Sequence, residues 1–193
     1  MTAAQAIVGT GTGAGAEADD APVVDLVVET EAWVAALPDL AALGEIAAAA
    51  ALSAAGLAPG DHEIALLACD DARITALNTD FRGKPQPTNV LSWPTHPLAP
   101  PAPGRRPPPP PAPGPLGDVA IALETCIAEA EAAGLPLKDH VVHLILHGCL
   151  HLLGFDHRTD ADAALMEEVE RRQLARLGIA DPYREGEAGG PRS

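Results

Sequence analysis

The segment His147-Gly148-Cys149-Leu150-His151-Leu152-Leu153-Gly154-Phe155-Asp156-His157 holds three histidines whose spacing fits one metal ion. His147 and His151 are four apart, so a helix brings both imidazoles to one face, one turn from each other. Gly154 follows three residues after His151. Glycine there can adopt the left-handed conformation that ends a helix and reverses the chain. The reversal carries His157 back toward the other two. Three neutral imidazoles suit a catalytic zinc ion with water in the fourth tetrahedral position, one ion per chain. Nickel or iron would accept the same ligand type.

Other residues in and around the segment leave alternatives open. His143 lies four before His147 and offers a straight helical triple with His147 and His151, as a second choice to His157. Asp156 beside the third histidine reads either as a partner that orients a ligand imidazole or as a polar residue of the turn. Cys149 is two residues from each of His147 and His151, so it points off their face and reads as a small core residue. The pattern also resembles the extended zinc-peptidase motif, in which a glutamate after the first histidine is the general base. Here that position is Gly148, which disfavours a zinc peptidase or amidase.

A buried helix must carry these ligands. Val141, Val142, Leu144, Ile145, Leu146, Leu150, Leu152 and Leu153 make the stretch from about Asp139 to Leu153 apolar nearly all round. Before it, strands are expected at Val23–Glu29, Glu63–Cys69, Thr88–Trp93 and Asp118–Leu123. Helices are expected at Leu40–Leu57, at Asp70–Asn78 with Asp70 or Asp71 as cap, and at Glu124–Ala133, ended by Gly134. A last helix begins near Thr159 and ends at Gly178, with Leu165, Met166, Val169, Leu174 and Leu177 on its apolar face. This order describes an α+β domain with a small mixed β-sheet packed on helices.

At this point the chain resembles the YbeY family of bacterial ribosomal RNA maturation factors. The histidine segment reads as that family's signature. Leu77-Asn78-Thr79-Asp80-Phe81-Arg82-Gly83-Lys84, followed by Thr88-Asn89-Val90-Leu91-Ser92-Trp93-Pro94, looks like its second. Leu116-Gly117-Asp118-Val119-Ala120-Ile121 and Asp181-Pro182-Tyr183 are similar to its next strand and its ending. The resemblance runs from about residue 23 to 184. It implies a zincin-like fold and a metal-dependent, single-strand-specific endoribonuclease that matures the 3′ end of small-subunit ribosomal RNA and takes part in ribosome quality control. The implied partners are single-stranded ribosomal RNA, the small ribosomal subunit and ribosome-associated factors. It implies zinc on His147, His151 and His157, and a catalytic role for Arg82, whose guanidinium can grip a phosphate bidentately. Lys84, Thr88, Asn89 and Ser92 are the implied substrate contacts. A non-catalytic ribosome assembly factor with a structural metal is the other class in play; it would need a fourth protein ligand.

Charge taken alone points away from nucleic acid. The chain of 193 residues carries a formal net charge of −15, whereas phosphate contacts call for a basic surface. The charge is uneven: residues 71–110 hold Arg73, Arg82, Lys84, Arg105 and Arg106 against Asp71 and Asp80. Cys69, Cys126 and Cys149 show no paired spacing, which suits reduced thiols and a cytoplasmic home. No stretch is long and apolar enough to span a membrane. Residues 1–20, rich in Gly, Ala and Thr, read as a disordered N-terminal tail, 21–184 as the enzymatic domain and 185–193 as a C-terminal tail. Residues 97–115 hold 11 of the 20 prolines. That insertion is expected to be extended polyproline II. It reads as a tolerated hairpin connection, with a docking ligand for an SH3-like partner as the alternative.

Overall fold

The computed structural model describes residues 23–183; the expected tails at 1–20 and 185–193 lie outside them. The elements run β1 (Val24–Val28), α1 (Glu31–Ala36), α2 (Leu40–Ala55), β2 (His62–Cys69), α3 (Asp71–Arg82), β3 (Val90–Pro94), β4 (Gly114–Ala122), α4 (Leu123–Ala133), α5 (Leu137–Leu152) and α6 (Asp160–Arg176). They form one four-stranded sheet in the order β1-β2-β4-β3. β1, β2 and β4 are parallel, and β3 runs antiparallel to β4. The expected mixed sheet on helices, an α+β fold, is what forms.

Strand alternation divides the core into two layers. Ile64, Leu66, Val119 and Ile121 face α2 and α5 in the main cluster. Cys69, Leu91, Ala120 and Ala122 face the other way, with Ile74 and Leu77 of α3. Both faces of β2 and β4 are covered over much of their length, which is why these strands read as nearly continuous apolar runs. Small residues let α2 sit close: Ala47, Ala48 and Ala51 have no exposed surface, and a Cβ at Gly44 would lie 3.2 Å from Leu66 Cδ2. Glu45 reaches from α2 to accept the backbone N–H groups of Val23 and Val24 at 3.0 and 2.9 Å.

Several boundaries differ from the sequence reading. α1 was not expected. It is short, but Trp33 at its centre is fully buried and its indole donates to the Cys69 carbonyl at 2.7 Å. α3 runs one turn past Asn78, so Arg82 is its last residue. Asp70 is its cap, accepting the Arg73 N–H at 2.7 Å; Asp71 instead accepts from Thr125. β4 begins at Gly114, inside the proline-rich stretch. Pro115 is tolerated because it lies beyond the β3 pairing, which ends at Pro94↔Gly117, and beside the register shift between Glu63 and Ile64.

The proline-rich segment is indeed the connection of the β3–β4 hairpin, and residues 106–110 have neither helix nor strand. It is tied down at several points. A Cβ at Gly154 would lie 2.6 Å from Leu98 Cβ. The Gly104 N–H donates to Asp162 at 2.8 Å. Arg106 donates to the Ala54 carbonyl at 2.7 Å and lies over the Phe155 ring, 5.9 Å from its centroid.

Candidate metal centre

α5 and the turn after it build the centre. Helix geometry stops at Leu152; Gly154 has φ +85°. The Phe155 N–H reaches back to the Leu150 carbonyl and the Gly154 N–H to that of His151, both at 3.0 Å. This is a glycine-terminated helix end that reverses the chain. Leu98 packs against Gly154, so no side chain larger than hydrogen fits there. Asp156 completes the turn: it accepts the His157 backbone N–H at 2.8 Å and pairs with Arg158 at 2.6 Å.

His147, His151 and His157 each present a ring nitrogen to one point, all such atoms lying within 4.8 Å of one another. The partners of the other ring nitrogens fix the tautomers. His151 Nδ1 is 2.9 Å from the Phe155 carbonyl, which can only accept. His147 Nδ1 is 2.7 Å from Glu170 Oε1. Glu170 has no exposed side-chain surface. Burial alone would raise its pKa, but hydrogen bonds from His143 and His147 and the field of His147 bring it down to about 2, so it is an ionised acceptor. Both Nδ1 atoms therefore donate, and in the neutral form of each ring Nε2 carries the lone pair. Those two Nε2 atoms are 3.0 Å apart. At that distance the two nitrogens need either a proton shared between them or a metal ion. For tetrahedral coordination at zinc–nitrogen lengths the separation would be about 3.3 Å. The residues present thus fit a divalent ion.

His151 is held neutral by its surroundings. Burial, then the neighbouring His147 and His157, lowers its pKa to about 4, against smaller opposing effects of the Phe155 carbonyl and Asp156. A neutral imidazole is the form that binds metal. His143, the second choice as ligand, turns away: its Nε2 faces Glu170 Oε2 at 3.3 Å. Asp156 accepts within the turn and has no hydrogen bond to an imidazole among the described residues. The Phe155 carbonyl and Glu170, the latter absent from the sequence expectations, meet the Nδ1 atoms of His151 and His147. A signal for Glu170 was present, since it sits on the inward stripe of α6 with Met166, Val169 and Leu174, all buried.

The centre opens on a cleft of about 430 Å³ between α5 and the β3 edge. Arg82, Thr88, Asn89 and Ser92 line it together with the three histidines. Lys84 lies on the exposed turn after α3, outside that lining. Arg82 makes no ion pair among the described residues. Asn89 is held on both sides, accepting the Val90 N–H at 2.7 Å and donating to Glu129 at 2.9 Å. Gly148 lies against the sheet: a Cβ there would come 2.8 Å from Val119 Cγ1 and 3.1 Å from Ser92 Oγ. The glutamate that zinc peptidases carry at this place has no room. Cys149 is buried and its thiol is pushed up to about 12 by that burial, in keeping with a core role.

Comparison with known proteins adds a family. The family model described as Endoribonuclease YbeY matches residues 33–178. The chain is similar to Endoribonuclease YbeY of Jannaschia sp. (strain CCS1), 54% identical over 160 residues covering 83% of this chain and 99% of the relative. It is similar also to Endoribonuclease YbeY of Ruegeria pomeroyi, 57% identical over 164 residues, 83% of this chain and 97% of the relative. Among solved structures, the solution structure of TM1509 from Thermotoga maritima aligns at a TM-score of 0.47 and 17% identity, covering 87% of this chain and 99% of that one.

Proposed function

The chain belongs to the YbeY endoribonuclease family, and on that premise we propose that it cleaves single-stranded RNA at a zinc centre held by His147, His151 and His157. The substrate is ribosomal RNA, near the 3′ end of the small-subunit molecule, and the setting is the small ribosomal subunit and its associated factors in the cytoplasm. Residues 21–184 form the enzymatic domain. The observation that carries the reading is the convergence of three imidazole nitrogens within 4.8 Å of one another, in a cleft that Arg82 also lines.

A divalent ion in this place supplies Lewis acidity toward a phosphodiester oxygen and lowers the pKa of water. The protein supplies the rest. Arg82 offers a fixed positive fork to the non-bridging phosphate oxygens, where charge builds as a nucleophile attacks phosphorus. Thr88, Asn89 and Ser92 offer hydroxyl and amide groups along the same wall to hold the sugar-phosphate strand. Asn89 is preorganised for this by Glu129, and Ser92 by its place on β3. Arg82, in no ion pair among the described residues, places positive charge beside the cleft, whereas Arg158 there is paired with Asp156; the objection from net charge is answered locally by Arg82. Single strands are preferred because their backbone can bend into a cleft, whereas an A-form duplex holds its phosphates in a fixed geometry. The cysteines, all free and buried, suit a reducing compartment. No helix among the described residues is long and apolar enough to cross a membrane. The test is cleavage of a labelled single-stranded RNA by the purified protein, with and without a chelator, against a duplex of the same sequence. Equal cleavage of both, or none with metal bound, would overturn the reading.

A further inference from the structure

We propose that Glu170 and Tyr183 are positioning residues for the metal ligand His147, and that the C-terminal segment thereby closes the metal centre from behind. The inference rests on the metal reading of His147, His151 and His157. Glu170 is the only carboxylate among the described residues with hydrogen bonds to two imidazoles of α5. Its Oε1 takes the His147 Nδ1 proton at 2.7 Å. Its Oε2 takes the Tyr183 hydroxyl proton and faces His143 Nε2 at 3.3 Å. A fully buried carboxylate is costly unless its lone pairs are filled, and here each oxygen has a partner.

The consequence is directional. With Oε2 occupied by Tyr183 and His143, Oε1 stays aimed at Nδ1. That fixes the protonated nitrogen and the ring plane, and leaves the Nε2 lone pair of the neutral ring toward the cleft. Hydrogen-bonded carboxylates of this kind orient ligand imidazoles and raise their basicity. Tyr183 is itself held: its N–H donates to Asp181 at 2.9 Å, Arg171 Nε lies 3.8 Å from Asp181 Oδ1, and the Arg171 guanidinium lies 5.7 Å from the Tyr183 ring centroid. The Tyr183 ring also meets His143 edge-on at 5.8 Å. Asp181-Pro182-Tyr183 thus ends in contact with the rear of the metal centre.

The test uses the full chain and three variants: Glu170→Gln, Glu170→Ala and Tyr183→Phe. Zinc and cobalt dissociation constants are measured by competition with a chromophoric chelator, and the His147 tautomer is read by nitrogen-15 NMR in metal-free protein. Glu170→Ala should weaken metal binding by about 10- to 100-fold and lose the fixed Nδ1–H tautomer. Glu170→Gln, which keeps an accepting oxygen, should recover part of both. Tyr183→Phe keeps the ring and loses only the hydroxyl; it should weaken binding by a smaller factor at nearly unchanged melting temperature. If Glu170→Ala lowers the melting temperature but leaves metal affinity and the tautomer unchanged, the carboxylate is merely structural and the inference is wrong. If the parent chain binds no metal, the metal reading fails; the tautomer in Glu170→Ala still decides whether the carboxylate positions the ring.

Discussion

The Nε2 atoms of His147 and His151 face each other at 3.0 Å, and in both rings the other nitrogen is committed to an oxygen. Among the described residues, each Nε2 has only the other as a hydrogen-bond partner. A third imidazole, that of His157, converges on the same point, which makes the group a fit for a metal ion.

Purified protein should hold about one divalent ion per chain. His151→Ala should lose most of it, and His143→Ala should keep it because His143 faces Glu170. Elemental analysis decides this. Ion present at 100 times its dissociation constant would stabilise the fold by about 2.7 kcal/mol, so a chelator should lower the melting temperature by several degrees. Full metal in His157→Ala together with loss in His143→Ala would reverse the ligand assignment.

The metal-free protein should lose stability in acid through His151. The unfolded chain protonates this side chain near its ordinary value of 6.5, whereas the folded chain resists until about 4. The folded pKa is depressed, so the contribution is whole above 6.5 and is lost as pH falls through about 4. Melting temperatures of the parent and of His151→Gln, both without metal, should converge or change order across that window. A constant gap between them from pH 7 to pH 4 would contradict the account.

Gly148→Ala should destabilise the protein by about 1–3 kcal/mol, the usual cost of forcing atoms into a packed core. The added carbon would sit 2.8 Å from Val119 Cγ1 and 3.1 Å from Ser92 Oγ. Denaturant melts measure this. Gly148→Glu should fail to accumulate as folded protein and should gain no peptidase activity. A stable, peptide-cleaving Gly148→Glu variant would refute the packing argument.

The site was legible in the sequence where its residues are close in the chain. Helix periodicity links His147 to His151, and Gly154 marks the turn that returns His157. Glu170 was not read because it lies on another helix, amid Glu167 and Glu168, and local spacing does not say which acid faces inward. Only the apolar stripe of α6 singles it out. Resemblance alone attaches Arg82 to the site; its place at the end of α3 comes from one helical turn more than the periodicity predicts. α1 escaped because six residues before a proline carry little pattern, and its anchor, Trp33, is fixed by a carbonyl 36 residues away.

The proline-rich connection should tolerate change at its centre but not at its anchor. Replacing Pro107–Pro111 by Gly-Ser residues of equal length should shift the melting temperature by only a few degrees, about the effect of 1 kcal/mol. Leu98→Asp should do more harm, because Leu98 packs on Gly154 beside the ligand turn. Thermal melts with metal bound check both. A larger loss from the proline replacement than from Leu98→Asp would show that the run itself packs the core.

The single-turnover rate of single-stranded RNA cleavage by Arg82→Ala, measured beside its metal content, decides whether RNA is cut in this cleft with Arg82 at the phosphate. The rate should fall by about 10²-fold or more, the range for losing one donor to the developing charge. Metal content should stay at the parental level, because arginine is not a ligand. Arg82→Lys should recover only part of the rate. Parental cleavage by Arg82→Ala with metal intact would contradict the account.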